Sequence, residues 1–232
     1  MAVSIIDRTE QKYFLTDYQY CQLFKQIQDK IEEDIYFKET IYNLYFDNDE
    51  YELINRSINK PIYKEKVRLR SYEKPNSDTL VFLEIKKKFQ DVSNKRRIEL
   101  TYAEALNYIE KGLIPHHDKQ ITKEIDYCFK SYHLKPKIRI LYDRVAYHLV
   151  NDDTFRITFD HNIHYNTNYL QLLEDDSDKM LFESGYIMEI KTLRALPIWL
   201  SDMLLQLKIY PISYSKVGKV YEQIRRCDDY VS

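Results

Sequence analysis

The sequence predicts an α+β fold built on a large, mostly antiparallel sheet of eight strands, with helices between and after them. Two observations predict it. First, six short stretches place charged or polar residues two apart between mostly apolar neighbours: Arg8/Glu10/Lys12, Lys66/Arg68/Arg70, Glu84/Lys86/Lys88, Arg97/Glu99, Arg156/Thr158/Asp160 and Glu189/Lys191. Side chains two apart on a strand point the same way, so each stretch has one charged face and one apolar face. Second, helix signals fall outside these stretches. The clearest is Thr101-Tyr102-Ala103-Glu104, a capping box whose helix Gly112 closes.

Taken in order, Ile6 to Leu15 reads as a strand, and Thr16 caps a helix carrying Tyr20, Leu23, Phe24, Ile27 and Ile31 at helical spacing. Thr40 to Asp47 returns to strand, and Tyr51 to Ile58 is a short helix or irregular connection. Ile62 to Tyr72 and Thr79 to Phe89 form a hairpin around the turn formers Lys74-Pro75-Asn76-Ser77-Asp78. Lys95 to Leu100 is a further strand, and Ile121 to Tyr132 a further helix. Lys137 to Leu149 and Thr154 to His161 are strands joined by Asn151-Asp152-Asp153, and Tyr186 to Lys191 is the last strand. Glu174 to Lys179 is an acidic surface loop. Pro197 suits the first turn of a helix to Leu207, and Ser215 caps a helix ending near Arg226. No Pro/Gly/Ser-rich linker interrupts the chain, which predicts a single domain over 1–232. A sheet charged on one face has two endings: it lies open with that face in water, or it closes into a barrel with charge inside and helices outside.

Composition narrows the function. Lys+Arg 35 against Asp+Glu 37 gives a net charge of -2, so no global basic field points to nucleic acid. Gly 3 excludes glycine-rich phosphate loops and dinucleotide fingerprints. Cys21, Cys128 and Cys227 lack metal-binding spacing and read as thiols of a reducing compartment. No secretion signal is evident, and the most apolar window, Leu196 to Leu207, is too short to span a bilayer. A soluble, cytoplasmic protein is expected; a membrane partner is compatible with the sequence, but no segment here supports one.

Aligned as one surface, the charged strand faces carry Arg8, Lys12, Lys66, Arg68, Arg70, Lys86, Arg97, Arg156 and Lys191 against Glu10, Glu84, Glu99, Asp160 and Glu189. Solvated strand faces usually mix Thr, Ser and Gln among their charges, whereas these are nearly all ionised. Nine cations to five carboxylates repel one another in a confined space unless an anion joins them. A polyanion with a divalent metal resolves the conflict: Arg and Lys bind phosphate oxygens, and carboxylates hold a hard cation such as Mg²⁺ or Mn²⁺. Phosphoryl transfer needs little beyond such positioning and charge neutralisation. The histidines add nothing to this: His116-His117 reads as a surface pair, and His161 and His164 as strand-end residues.

In these residues the chain resembles the VTC (vacuolar transporter chaperone) catalytic domain, a polyphosphate polymerase of the triphosphate tunnel metalloenzyme (CYTH-like) superfamily. The matching segments are Arg8-Thr-Glu10-Gln-Lys12-Tyr13, Ile41-Tyr-Asn-Leu-Tyr-Phe-Asp47, Lys66-Val-Arg68-Leu-Arg70-Ser-Tyr72, Leu83-Glu84-Ile85-Lys86, Tyr142-Asp-Arg144, Phe155-Arg156-Ile-Thr-Phe-Asp160, Met188-Glu189-Ile-Lys191 and Ser215-Lys216, in the family's order. Each is weak alone; the ordered set is specific. The resemblance implies an antiparallel eight-stranded barrel forming a tunnel that binds ATP and passes its γ-phosphate to a growing polyphosphate chain.

By position, Lys12, Arg68, Arg70, Lys86, Arg144, Arg156 and Lys216 would bind phosphate, joined by Lys66, Arg97 and Lys191 from the same faces. Glu189, with Glu10 and Glu99 as further candidates, would hold Mn²⁺ or Mg²⁺. Where the triphosphatase branch opens with Glu-x-Glu-x-Lys, this chain has Arg8 at the first carboxylate, which favours the polymerase branch. Eukaryotic polymerase subunits also carry a phosphate-sensing domain and a membrane region. Neither is found in these 232 residues, so membrane coupling and inositol-phosphate regulation are not expected to carry over. Two alternatives stand beside the polymerase: a hydrolase of inorganic triphosphate or nucleoside triphosphates, and a non-enzymatic polyphosphate- or nucleotide-binding module. Tyr13 and Tyr72 read as packing residues rather than adenine contacts.

Overall fold

The alternating stretches fold as strands and the capping boxes open helices. The structure, a computed structural model, describes residues 9–59, 62–90, 92–113 and 119–229. Arg8, the His116-His117 pair and the Cys227 side chain lie outside the described residues. In chain order the elements are β1 (Thr9–Leu15), α1 (Asp17–Ile27), β2 (Ile31–Asp47), α2 (Glu52–Ile58), β3 (Tyr63–Ser71), β4 (Leu80–Phe89), β5 (Val92–Thr101), α3 (Tyr102–Lys111), α4 (Lys119–Tyr132), β6 (Lys135–Leu149), β7 (Asp152–Asn166), β8 (Lys179–Met180), β9 (Tyr186–Thr192), α5 (Ile198–Gln206), β10 (Pro211–Ile212) and α6 (Lys216–Asp229).

Local chemistry sets the helix starts. Thr16 and Thr101 each form a reciprocal capping box, with Gln19 at the head of α1 and Glu104 at the head of α3. Gly112 closes α3 at φ 67, a conformation that favours glycine. Ser215 Oγ accepts from the Gly218 amide at 3.2 Å and so caps α6. One boundary differs from the sequence expectation. Ile31 keeps helical spacing with Ile27, yet α1 ends at Ile27 and Ile31 opens a strand of 17 residues. The Val150 amide donates to Lys30 O at 3.0 Å, and Ile35, Tyr36 and Phe37 are strand formers, so the chain leaves α1 extended.

Among the described residues the strands form one sheet in the order β10-β1-β9-β7-β6-β2-β3-β4-β5, with β8 beside β7. The order does not return to its start. The sheet is open, with ten strands, and is not the closed eight-stranded barrel expected from the family resemblance. Closure requires the end strands to pair along their length. One end here is the two-residue β10, where Pro211 has no amide to donate, and the other is β5, which pairs with β4.

The described residues fall into two compact units, each drawn from separate parts of the chain. The first takes in the described residues up to Glu39, with Tyr142–Ile163 and Phe182–Tyr214; the second takes in the described residues of Thr40–Leu141, His164–Leu181 and those from Ser215 on. In the first, Tyr13 and Leu15 of β1, Met188 and Ile190 of β9, and Ile157 and Phe159 of β7 pack on Leu23 and Ile27 of α1 and on Leu200 and Leu204 of α5. In the second, Val67 and Leu69, Leu83 and Ile85, and Ile98 and Leu100 pack on Ala105 and Tyr108 of α3 and Ile125 and Cys128 of α4. These are the apolar positions that alternate with the charges, so each sheet face is committed: one to a helix-covered core, the other to the charged set. No described helix is long and apolar enough to cross a membrane.

Phe159 is fully buried. Phe159→Ala is expected to cost about 3–5 kcal/mol in urea unfolding, and a loss below about 1 kcal/mol would contradict this account of the first core.

Candidate functional site

Each unit carries one charged sheet face. In the first, antiparallel pairing of β1, β9 and β7 lines up Lys12 with Glu189 and Thr158, and Glu10 with Lys191 and Arg156. The central carboxylate is Glu189, 9% exposed. Lys191 Nζ lies 2.7 Å and Lys12 Nζ 3.5 Å from its two oxygens, and the same lysines lie 4.0 Å and 3.3 Å from Glu10. Burial alone would raise the Glu189 pKa; Lys191, Lys12 and Arg144 outweigh it and hold the carboxyl well below its usual range. Arg144 makes a bidentate pair with buried Asp160 at 2.6 Å and 2.8 Å. Burial opposes its charge, but Asp160 outweighs that and raises its pKa further. Arg156 Nε sits 2.8 Å from Asp34, an ion pair without hydrogen-bond alignment. Among the described residues this face is balanced: Lys12, Lys191, Arg144 and Arg156 stand against Glu10, Glu189, Asp160 and Asp34.

Among the described residues the second face carries more cations than carboxylates. Pairing of β2, β3, β4 and β5 makes cross-strand rows. One row is Asn43, Arg70, Phe82 and Glu99; the next is Tyr45, Arg68, Glu84 and Arg97; the next is Lys66, Lys86 and Lys95; and the last includes Lys64 and Lys88. Residues directly opposite on an antiparallel pair are close neighbours, and like charges there are destabilising. From β3, β4 and β5 the face therefore holds Lys64, Lys66, Arg68, Arg70, Lys86, Lys88, Lys95 and Arg97 against Glu84 and Glu99, and β2 adds Asp47, whose carboxylate accepts from the Asn48, Leu53 and Ile54 amides.

Glu84, 2% exposed, is the pivot of this second face. Arg68 Nε donates to its Oε2 at 2.7 Å, and Lys95 Nζ lies 2.5 Å from Oε1. Burial raises the Glu84 pKa, but Arg68, Arg70 and Lys95 bring it down to about 2. Arg70, nearly buried, donates from Nε to Asn43 at 2.9 Å and lies 5.7 Å from the Tyr72 ring. Arg97 lies opposite Glu84, yet its guanidinium is layered 4.3 Å over Phe82. Lys66 Nζ donates to Ser215 Oγ at 2.8 Å, beside Lys216 at the head of α6.

The structure thus places Lys12, Glu10, Arg144, Arg156, Glu189 and Lys191 on the first face, and Lys66, Arg68, Arg70, Lys86, Arg97 and Glu99 on the second. Glu99 is exposed on β5, and among the described residues no group of three or more His, Cys, Asp or Glu could hold a metal. His161 is occupied with Asp143 O at 3.2 Å and stacks on Tyr186. Tyr13 is a core residue, whereas Tyr72 stands beside Arg70. Three residues were missed by sequence reasoning. Asp34 lies in the part of β2 between Ile31 and Thr40, to which the sequence reading assigned no element. Lys95 shares parity with Arg97, a signal present in the sequence. Tyr45 alternates with Leu44 and Phe46, so its parity also marked it.

Comparison with known proteins identifies the class, then the family. The fold is similar to that of a Bacillus halodurans protein provisionally described as an adenylate cyclase, at TM-score 0.54 and 14% identity, covering 89% of this chain and 92% of that one. A protein of Pyrococcus horikoshii aligns at TM-score 0.48 and 15% identity, over 93% of this chain and 99% of that one. No curated protein matches the sequence. The VTC domain model matches residues 7–224, and the chain belongs to the VTC-domain family.

The depressed Glu84 carboxyl makes a pH prediction. A carboxyl ionised more readily in the folded state stabilises it above the unfolded pKa near 4.5, and that share is lost as pH falls toward about 2. From the size of that shift the share is about 3 kcal/mol. In urea unfolding, the stability gap between the wild type and Glu84→Gln is expected to close by about 2 kcal/mol between neutral and strongly acidic pH. A gap independent of pH would reject the assignment.

Proposed function

We propose that this protein is a polyphosphate polymerase that transfers the γ-phosphate of ATP to a growing polyphosphate chain with Mn²⁺ or Mg²⁺. One observation carries the reading: the lysine row Lys66, Lys86 and Lys95, next to a row in which Arg68 and Arg97 flank a single carboxylate. Among the described residues, β3, β4 and β5 bring eight cations and two carboxylates to this face, and condensed phosphate would supply several negative charges at close spacing. Membership of the VTC-domain family supports the same substrate class.

The first face suits a divalent metal in donor type. Glu189 and Glu10 offer hard carboxylate oxygens, and the Thr158 hydroxyl, buried opposite Glu189, has no hydrogen-bond partner. With so few protein donors, phosphate oxygens and water must complete the shell, as is usual for Mg²⁺. Glu189 and Glu10 would hold such a metal, which would supply positive charge against the phosphate. Lys12 and Lys191, now tied to Glu189, would turn to phosphate as the carboxylate takes the metal.

Arg68, Arg70 and Lys86 would bind phosphate oxygens, and Arg144 and Arg156 would do so from their own face. A terminal phosphate oxygen of the acceptor attacks the γ-phosphorus in line; the β–γ bridging bond breaks and ADP leaves with the electron pair. The residues hold and neutralise; no side chain forms a covalent intermediate.

Purified protein given γ-labelled ATP and Mn²⁺ is expected to yield a ladder of labelled polyphosphate on a gel. Labelled orthophosphate alone would favour hydrolysis, and unchanged ATP a binding module. Arg68→Ala and Glu189→Ala should each lower turnover by at least about a hundredfold with circular dichroism unchanged. Wild-type rates in both would reject the site.

A further inference from the structure

Tyr45 lies on β2 directly opposite Arg68, on the cation-rich face. It is 8% exposed, and its hydroxyl accepts from Arg68 Nη1 at 3.3 Å. Glu84 takes Arg68 Nε on the other side, so the guanidinium is held between a carboxylate on β4 and a phenol on β2. The matched segment Ile41–Asp47 contains this tyrosine but assigns it no role. We propose that Tyr45 is a positioning residue for Arg68 and the group that makes anion binding at this face fall off at alkaline pH.

The charged groups acting on the Tyr45 phenol are Lys66, Arg68 and Arg70 of β3; Glu84 of β4 holds the far side of Arg68, and Ser215, next to Lys216 at the start of α6, accepts from Lys66. On its own strand, Asp47 is engaged by the amides of Asn48, Leu53 and Ile54. Burial would raise the phenol pKa, but Arg68, Arg70 and Lys66 outweigh it and bring it to about 8. Below that pH the neutral hydroxyl accepts from Arg68 and leaves the cation surplus intact. Above it, the phenolate adds a negative charge beside Arg68 and occupies the guanidinium that an anion needs. Linkage requires the reverse effect as well: a bound polyanion raises the phenol pKa.

The binding half of the proposal rests on reading this face as a phosphate site, while the Arg68 contact and the titration do not. The test uses the whole chain, tripolyphosphate as probe, and Tyr45→Phe, which keeps the ring packing. Tyrosinate absorbance is followed against pH. Tyr72 is also held below its ordinary value, so the difference between wild type and variant assigns the step.

A one-tyrosine step near pH 8 is expected in the wild type and absent from the variant, and saturating tripolyphosphate should move the wild-type step upward. For each unit of that movement, wild-type affinity should fall about tenfold across the transition relative to Tyr45→Phe. The ligand's own ionisation cancels in that comparison. A step that persists in the variant, no step below the ordinary tyrosine range, or parallel binding profiles would overturn the proposal. A clean step without tripolyphosphate binding at any pH would overturn the anion role and the phosphate reading together. If the variant fails to fold, the wild-type step and its movement with tripolyphosphate decide alone.

Discussion

A buried carboxylate held by cations from adjacent strands is the constraint on which both charged faces are built. Removing a carboxylate from water costs several kcal/mol unless charge partners surround it. Glu189 is secured by Lys12 and Lys191, and Glu84 by Arg68 and Lys95. In each case the partners arrive through strand register, because residues opposite one another on antiparallel strands are neighbours. A one-residue slip would carry the charges into the helix-covered cores and expose the aliphatic residues. The cores and charged faces therefore specify each other.

Register also distributes charge unequally. Among the described residues the first face matches four cations with four carboxylates. The second sets lysine opposite lysine and keeps Arg97 off Glu84, layering it on Phe82 instead. The two faces thus divide the chemistry: hard oxygen donors around Glu189, and a dense cation array around Glu84.

Much of this was legible in the sequence because a strand has a period of two. Parity alone separated Val67 and Leu69 from Lys66, Arg68 and Arg70, and the structure puts those two groups on opposite faces. What parity does not encode is which strand lies beside which. The grouping of all charged stretches as one surface hid the contrast between a balanced and a surplus face. Asp34 escaped because no element was read between Ile31 and Thr40, and only the Val150 contact shows the chain already extended there. Closure failed as an expectation for a related reason: alternation is the same in an open sheet and a barrel. The deciding feature, a two-residue end strand beginning at Pro211, is a local detail.

The cation surplus is tested most directly by melting the protein in tripolyphosphate and in sodium chloride at matched ionic strength. At one hundred times its dissociation constant, a ligand of the folded state adds about 2.7 kcal/mol, or roughly 5–10 °C for a chain of this size. The tripolyphosphate sample should melt higher by that amount, and the increment should shrink in Arg68→Ala. Equal melting temperatures in the two salts would contradict the account.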